Sequence, residues 1–291
     1  MISDKRSLPA NIEITEDGSH TLYVPELNEH YHSTHGAMQE STHIFIREGM
    51  IHRLQLQPSG QPKQQLQPKL QHGPEGQQQL SPEESLQTTH EINLLEIGFG
   101  TGLNALLTLL EAKKKGINVF YQSLERYPIS VEAAQKLNYP AMLNQVEKAE
   151  EEKSNASIQS KQKNYVEVEL GNNTLQELFL RLHTSPWEKA VAITPGFTLL
   201  KQQIDFSRPA TFVPERGFDL IYYDAFAPEK QPGMWTQEIF NHLYSLSNQG
   251  AILTTYCAKG VVRRMLQSAG FRVERLPGPP GKREILRATK L

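Results

Sequence analysis

The chain has 291 residues, a formal net charge of −2 and one cysteine, a length that fits one large domain or one domain with a small appendage. The near-neutral charge argues against bulk affinity for nucleic acid. The lone Cys257 excludes an intrachain disulfide framework and a cysteine-based zinc site, which fits a reducing cytosol.

Residues 12–24, IEITEDGSHTLYV, alternate apolar and polar around Asp17-Gly18 and predict a hairpin. ESTHIFIREGM (40–50) predicts a short helix or strand. From about Gln55 to Gln79 the chain turns to Gln, Pro and Gly with almost no aromatics, a composition that predicts a mobile insertion. No apolar run approaches a membrane span and the N-terminus lacks a signal-peptide core, so the expectation is a cytoplasmic protein without membrane contact.

Regular alternation follows. INLLEIG (92–98), VFYQSLE (119–125), YVEVEL (165–170), FDLIYYDA (218–225) and AILTTY (251–256) read as strands. Helical periodicity lies between them, around 103–115, 130–148, 173–182, 236–247 and 260–269. This order predicts an α/β fold, a mostly parallel sheet covered on both faces. FRVERL (271–276) and REILRAT (283–289) are too close for a helical crossover and should pair antiparallel at one edge, giving seven strands in all. The polar stretches 149–163 and 184–213 read as loop insertions. The expected domains are an N-terminal β extension (1–54), the Gln/Pro-rich insertion (55–90) and the α/β domain (91–291).

In LLEIGFGTGLNALLTLL a buried strand gives way to Gly98, Gly100 and Gly102 and then to an apolar helix. Glycines let backbone approach a ligand, and a helix N-terminus adds N–H donors. The spacing G-x-G-x-G differs from the dinucleotide fingerprint. With Glu96 before it, it resembles the acidic-led glycine loop of class I S-adenosylmethionine (SAM) methyltransferases, a Rossmann-like fold. Glu125 ends the next strand, where an acid can hydrogen-bond both hydroxyls of a ribose. Asp224 ends a later strand beside the crevice where strand order should reverse. There a carboxylate can orient an amine nucleophile and take its proton, while Pro228 and Pro232 stiffen the following loop. Capping of the next helix is the competing role for Asp224.

DAFAPEKQPGMWTQEIF (224–240) resembles the signature segment of the MnmD/MnmC tRNA methyltransferases. The resemblance extends to LLEIGFGTGLN (94–104), YHSTHGAMQESTHIFI (31–46), YCAKGVVRRMLQSAGF (256–271) and GPPGKREILRA (278–288). It implies SAM-dependent methylation of 5-aminomethyl-(2-thio)uridine at the tRNA wobble position, giving the 5-methylaminomethyl form. The implied cofactor-binding residues are Glu96, Gly98, Phe99, Gly100, Thr101, Gly102, Asn104, Glu125, Asn172 and Asp224, with Asp224 also catalytic. Asn172 stands where many relatives carry Asp, and its side-chain oxygen can accept the same adenine hydrogen bond. On the substrate side stand Phe226, Pro228 and Trp235, the two aromatics either stacking on the base or packing the core. His32 and His35 are candidates for the substrate entrance. Cys257 reads as a small buried residue.

From Thr255 to Leu291 nine lysines and arginines stand against two glutamates. Within that run Lys259, Arg263, Lys282 and Arg283 would hold phosphates of the anticodon region. The resemblance implies no flavin and no metal; a partner that delivers the modified tRNA is compatible with it, though no residue assigns one. Two other readings remain open at this point: a SAM-fold transferase acting on a small amine, similar to aminopropyltransferases, and a noncatalytic RNA-binding module on the same fold.

Overall fold

The computed structural model describes residues 10–56, 91–145 and 174–291. Strands β1 (Asn11–Ile14), β2 (His20–Val24) and β3 (Glu29–His30) form a three-stranded antiparallel sheet. The predicted hairpin is there, closed by Asp17, whose Oδ1 accepts the Thr15 hydroxyl at 2.7 Å and the Ser19 N–H at 2.9 Å. Such side-chain caps are why Asp and Ser recur in tight loops.

A helical rod, α1, follows: an α turn at Ala37–Ser41, a π-helical stretch Thr42–Ile51, and a last α turn His52–Gln55. It buries Ile44, Phe45 and Met50 against the main sheet, where the rings of Phe45 and Tyr222 lie 5.0 Å apart. Each such apolar side chain contributes about 1.5–3 kcal/mol. The choice that the sequence left open between helix and strand resolves to helix.

Among the described residues the main sheet has eight strands, in the order β10-β11-β9-β8-β4-β5-β7-β6. β4 (Glu91–Ile97), β5 (Asn118–Leu124), β7 (Phe197–Gln202), β8 (Phe218–Tyr223) and β9 (Ser247–Thr255) pair in parallel. β10 (Arg272–Pro277) and β11 (Glu284–Thr289) form the predicted antiparallel edge. Alternate residues of a strand supply opposite faces. In β8, Leu220 and Tyr222 enter one core layer with α1 and helix α2 (Leu103–Lys115). Ile221 and Tyr223 enter the other, beneath α5 (Gln237–Leu246) and α6 (Gly260–Ala269). The short α3 (Val131–Gln135) and the capping-boxed α4 (Leu175–Thr184) complete the first layer.

One expectation is corrected. Within 184–213, read as a loop, β6 (Val191–Thr194) and β7 form a hairpin, and β7 pairs with β5. The signal was present: Pro195-Gly196 joins VAIT to FTLLKQ, whose burial alternates strictly. Among the described residues the sheet therefore has eight strands: six of the seven expected, and this pair. The predicted strand 165–170 and residues 57–90 of the expected insertion (55–90) lie outside the described residues, while Gln55 ends the helical rod. Among the described residues no helix is long and apolar enough to cross a membrane.

Candidate active site

β4 and β8 are neighbours, yet the chain leaves β4 toward β5 on one side and reaches β8 and β9 on the other. Order therefore reverses between them, and a crevice opens at their carboxyl ends. A cleft of about 570 Å³ lies there, within the range of small-molecule sites.

The glycine loop forms one wall. Gly98 has φ 96° and Gly100 φ 51°, conformations that exact strain from any residue with a Cβ. Space forbids one too: a Cβ on Gly98 would sit 2.6 Å from the carbonyl oxygen of Asp224, and one on Gly100 3.0 Å from the Tyr31 ring. Phe99 and Thr101 line the cleft beside them. The Gly100 N–H donates to Glu125 Oε2 at 3.0 Å and the Tyr127 N–H to Oε1 at 2.7 Å. Burial raises the Glu125 carboxyl above its usual range, and these backbone donors pull it back. A carboxylate has roughly four lone-pair sites, so about two remain for ribose hydroxyls.

Asp224 faces this wall. Its N–H donates to Ile97 O at 3.0 Å, and its Oδ2 accepts from Asn104 Nδ2 at 2.9 Å. Burial, and then the negative charge of Glu40, push its carboxyl up to about 7; the Asn104 hydrogen bond and Lys282 oppose them. A base poised near neutrality suits proton transfer from an amine. Asn104 Oδ1 is buried without a partner.

The N-terminal segment closes the cleft from above. Tyr31 packs edge-on against Phe226, with ring centroids 5.0 Å apart. His32 Nε2 lies 2.7 Å from the Thr101 hydroxyl, and burial lowers its pKa to about 4, keeping the ring neutral. His32 thus pins the glycine loop. His35 also lines the cleft and pairs with Glu16 at 3.0 Å.

Of the residues named from sequence, Gly98, Phe99, Gly100, Thr101, Asn104, Glu125, Asp224, Phe226 and Lys282 come together around the cleft. Glu96 does not line it. Fully buried in β4, Glu96 accepts the Ser123 hydroxyl at 2.6 Å, and burial pushes its carboxyl up to about 8. Gly102 caps α2 beneath the loop, with φ 74°. Trp235 is also turned inward: its indole N–H donates to Phe226 O at 2.8 Å and its ring packs on Tyr223. It is a strut that shapes the loop after β8. Pro228, Lys259, Arg263 and Arg283 lie outside the cleft lining, and Asn172 lies outside the described residues.

The basic C-terminal run is less open than its composition suggests. Lys259 pairs with Glu229, Arg275 with Glu284, Lys282 with Glu40, and Arg287 with Glu48 and Glu274. Lys290 donates to the carbonyls of Tyr244 and Ser247. Arg264, Arg272 and Arg283 are exposed. Sequence reasoning missed Tyr31, Glu40 and Tyr256. Tyr256 follows β9 at the sheet's carboxyl edge, a position that could have flagged it. The other two lie in the segment 31–46 that carries part of the family resemblance, but nothing in the local pattern said that it folds over this crevice.

The donor set fits SAM. Bare backbone at Gly98 and Gly100, the Glu125 carboxylate and the unpartnered Asn104 oxygen form a cradle a nucleoside could fill.

The family model described as S-adenosyl-L-methionine-dependent methyltransferase matches residues 172–291. The tRNA 5-methylaminomethyl-2-thiouridine biosynthesis bifunctional protein MnmC of Pseudomonas fluorescens is 32% identical over 195 residues, 66% of this chain and 26% of that protein. The protein of the same name from Cupriavidus metallidurans is 27% identical over 283 residues, 95% of this chain and 33% of that protein. The chain thus spans about a quarter to a third of these relatives' length. The crystal structure of MNMC2 from Aquifex aeolicus superposes with a TM-score of 0.62 at 20% identity, covering 97% of this chain and 70% of that one. That likeness establishes the fold. The chain carries a SAM-dependent methyltransferase domain of the MnmC/MnmD type.

Proposed function

We propose that the protein methylates the exocyclic amine of 5-aminomethyl-(2-thio)uridine at the tRNA wobble position, giving 5-methylaminomethyl-(2-thio)uridine. The observation that carries this reading is Asp224: a carboxyl held at about 7, beside the glycine loop and lining the cleft. The names of the similar proteins supply the substrate class.

Bound SAM supplies an activated methyl group, whose transfer breaks a sulfur–carbon bond as the nitrogen–carbon bond forms and releases one proton. The protein's own work is to place the amine and manage that proton. Asn104 fixes the Asp224 carboxylate, and Asp224 takes the proton that the amine must lose to become nucleophilic. Glu125 and the backbone of Gly98 to Gly102 hold the nucleoside. Phe226 and Tyr31 line the acceptor side and offer faces for an extruded base. Exposed Arg264 and Arg283, with Lys259, whose partner Glu229 is itself exposed, would contact anticodon-region phosphates.

The test is transfer of label from SAM to tRNA bearing 5-aminomethyl-2-thiouridine, beside the same tRNA without the aminomethyl group. Label should enter only the first. No transfer to it overturns the reading, and transfer to free polyamines in its place favours a small-amine transferase.

A further inference from the structure

The acceptor half of the cleft holds a second carboxylate for which methyl transfer has assigned no task. Glu40, in the first turn of α1, lines the cleft and is 7% exposed. Its Oε2 accepts the Ser33 N–H at 2.7 Å, and its Oε1 pairs with Lys282 Nζ at 3.2 Å. Lys282 lies in turn 4.7 Å above the Tyr256 ring, and the Tyr256 hydroxyl donates to Ala225 O at 2.8 Å. Glu40 is thus held by the N-terminal segment on one side and the C-terminal hairpin on the other, with Asp224 next to Ala225.

A buried carboxylate is costly unless a positive charge answers it. The cleft lining carries five carboxylates against one arginine and one lysine. Arg126 is already paired with Asp205 at 2.8 Å. Lys282 is then one cation between Glu40 and Asp224, and this corner keeps an excess of negative charge. An ammonium ligand answers that excess.

We propose that Glu40 is a specificity-determining residue, which with Asp224 recognises the charged amino group of the acceptor while Lys282 positions the Glu40 carboxylate. The proposal rests on the amine-acceptor reading above. An alkyl ammonium brings three N–H donors, and two carboxylates accept two of them. When one proton passes to Asp224, the nitrogen lone pair is freed while Glu40 still holds a remaining N–H. Lys282 offsets part of the negative field that would otherwise keep the nitrogen protonated. A uridine without the aminomethyl group presents nothing to this pair.

The experiment compares wild-type protein, Glu40→Gln and Glu40→Asp on tRNA carrying 5-aminomethyl-2-thiouridine and on the same tRNA with an unmodified wobble uridine. Binding of each tRNA, KM, kcat and SAM affinity are measured. Wild type should bind the aminomethylated tRNA more tightly, and Glu40→Gln should cut that preference about tenfold, as loss of one charged hydrogen bond does. KM should rise and SAM affinity stay unchanged, which a merely structural lesion would not produce. Should Glu40→Gln fail to fold, Glu40→Asp, with its carboxylate withdrawn by one methylene, should give an intermediate preference. A wild-type preference in either variant overturns the proposal while leaving the methyltransferase reading intact. A wild type that transfers no methyl to the aminomethylated tRNA overturns that reading, and this proposal with it.

Discussion

The two walls of the cleft are built by opposite means. The cofactor wall comes from two consecutive strands, as the stretch Ile97 to Asn104 with Glu125 beside it, and its shape depends on side chains being absent at Gly98 and Gly100. The acceptor wall is assembled from Tyr31, Glu40, Asp224, Tyr256 and Lys282, which lie on segments spread over nearly the whole chain and act through their side chains. A nucleoside cradle can be built from neighbouring backbone and one strand-end carboxylate, whereas the proposed selection of an amine needs charges placed by tertiary structure.

The sharpest break of this contrast is at Asp224. Asp224→Ala should lower turnover by at least about a hundredfold, the scale of lost general-base catalysis, while SAM affinity changes little in calorimetric titration. Equal loss of both would move Asp224 to the cofactor wall. On that wall, Gly98→Ala should cost about 1–3 kcal/mol of folding stability from backbone strain and weaken SAM binding. An unchanged urea midpoint and affinity would show that the loop tolerates a side chain.

Behind the loop, Glu96 should give a pH signature. Its carboxyl is held up at about 8 against a usual value of 4.5, so the folded state binds the proton more tightly than the unfolded one. That contribution is fully present below about 4.5 and is lost as pH rises through about 8. Glu96→Gln should therefore flatten the fall in stability that wild type shows over that window in denaturant titrations. The smallest effect is expected from Trp235→Phe, which removes the hydrogen bond to Phe226 O and should cost about 1 kcal/mol. A large drop in tRNA affinity at unchanged stability would put the indole on the uridine instead.

The same contrast explains what the sequence disclosed. The glycine loop, Glu125 at the end of its strand, and Asp224 before its stiff loop were legible because each is a local pattern of strand, turn and residue type. Helix α6 was predicted with the residues it has, because its helical period is clear. Glu96 was misplaced since the alternation of a buried strand does not say which side reaches a ligand and which the core. Trp235 and the basic run were ambiguous for a related reason. Composition reports charge and aromatic content, but Lys282 meets Glu40 and Arg287 meets Glu48, each more than 200 positions away.

The ties between α1 and the C-terminal hairpin also bear on when the protein becomes competent. His43 Nε2 lies 2.8 Å from Pro277 O, Lys282 meets Glu40, and Arg287 reaches Glu48 at 2.8 Å. Contacts between such distant positions form late because closing so long a loop is slow. A nascent chain has made the glycine loop and Glu125 by position 125, but it lacks the last acceptor-wall residue until Lys282 has been added. Synthesis thus separates the two walls by more than 150 residues, and only the finished chain can bring them together.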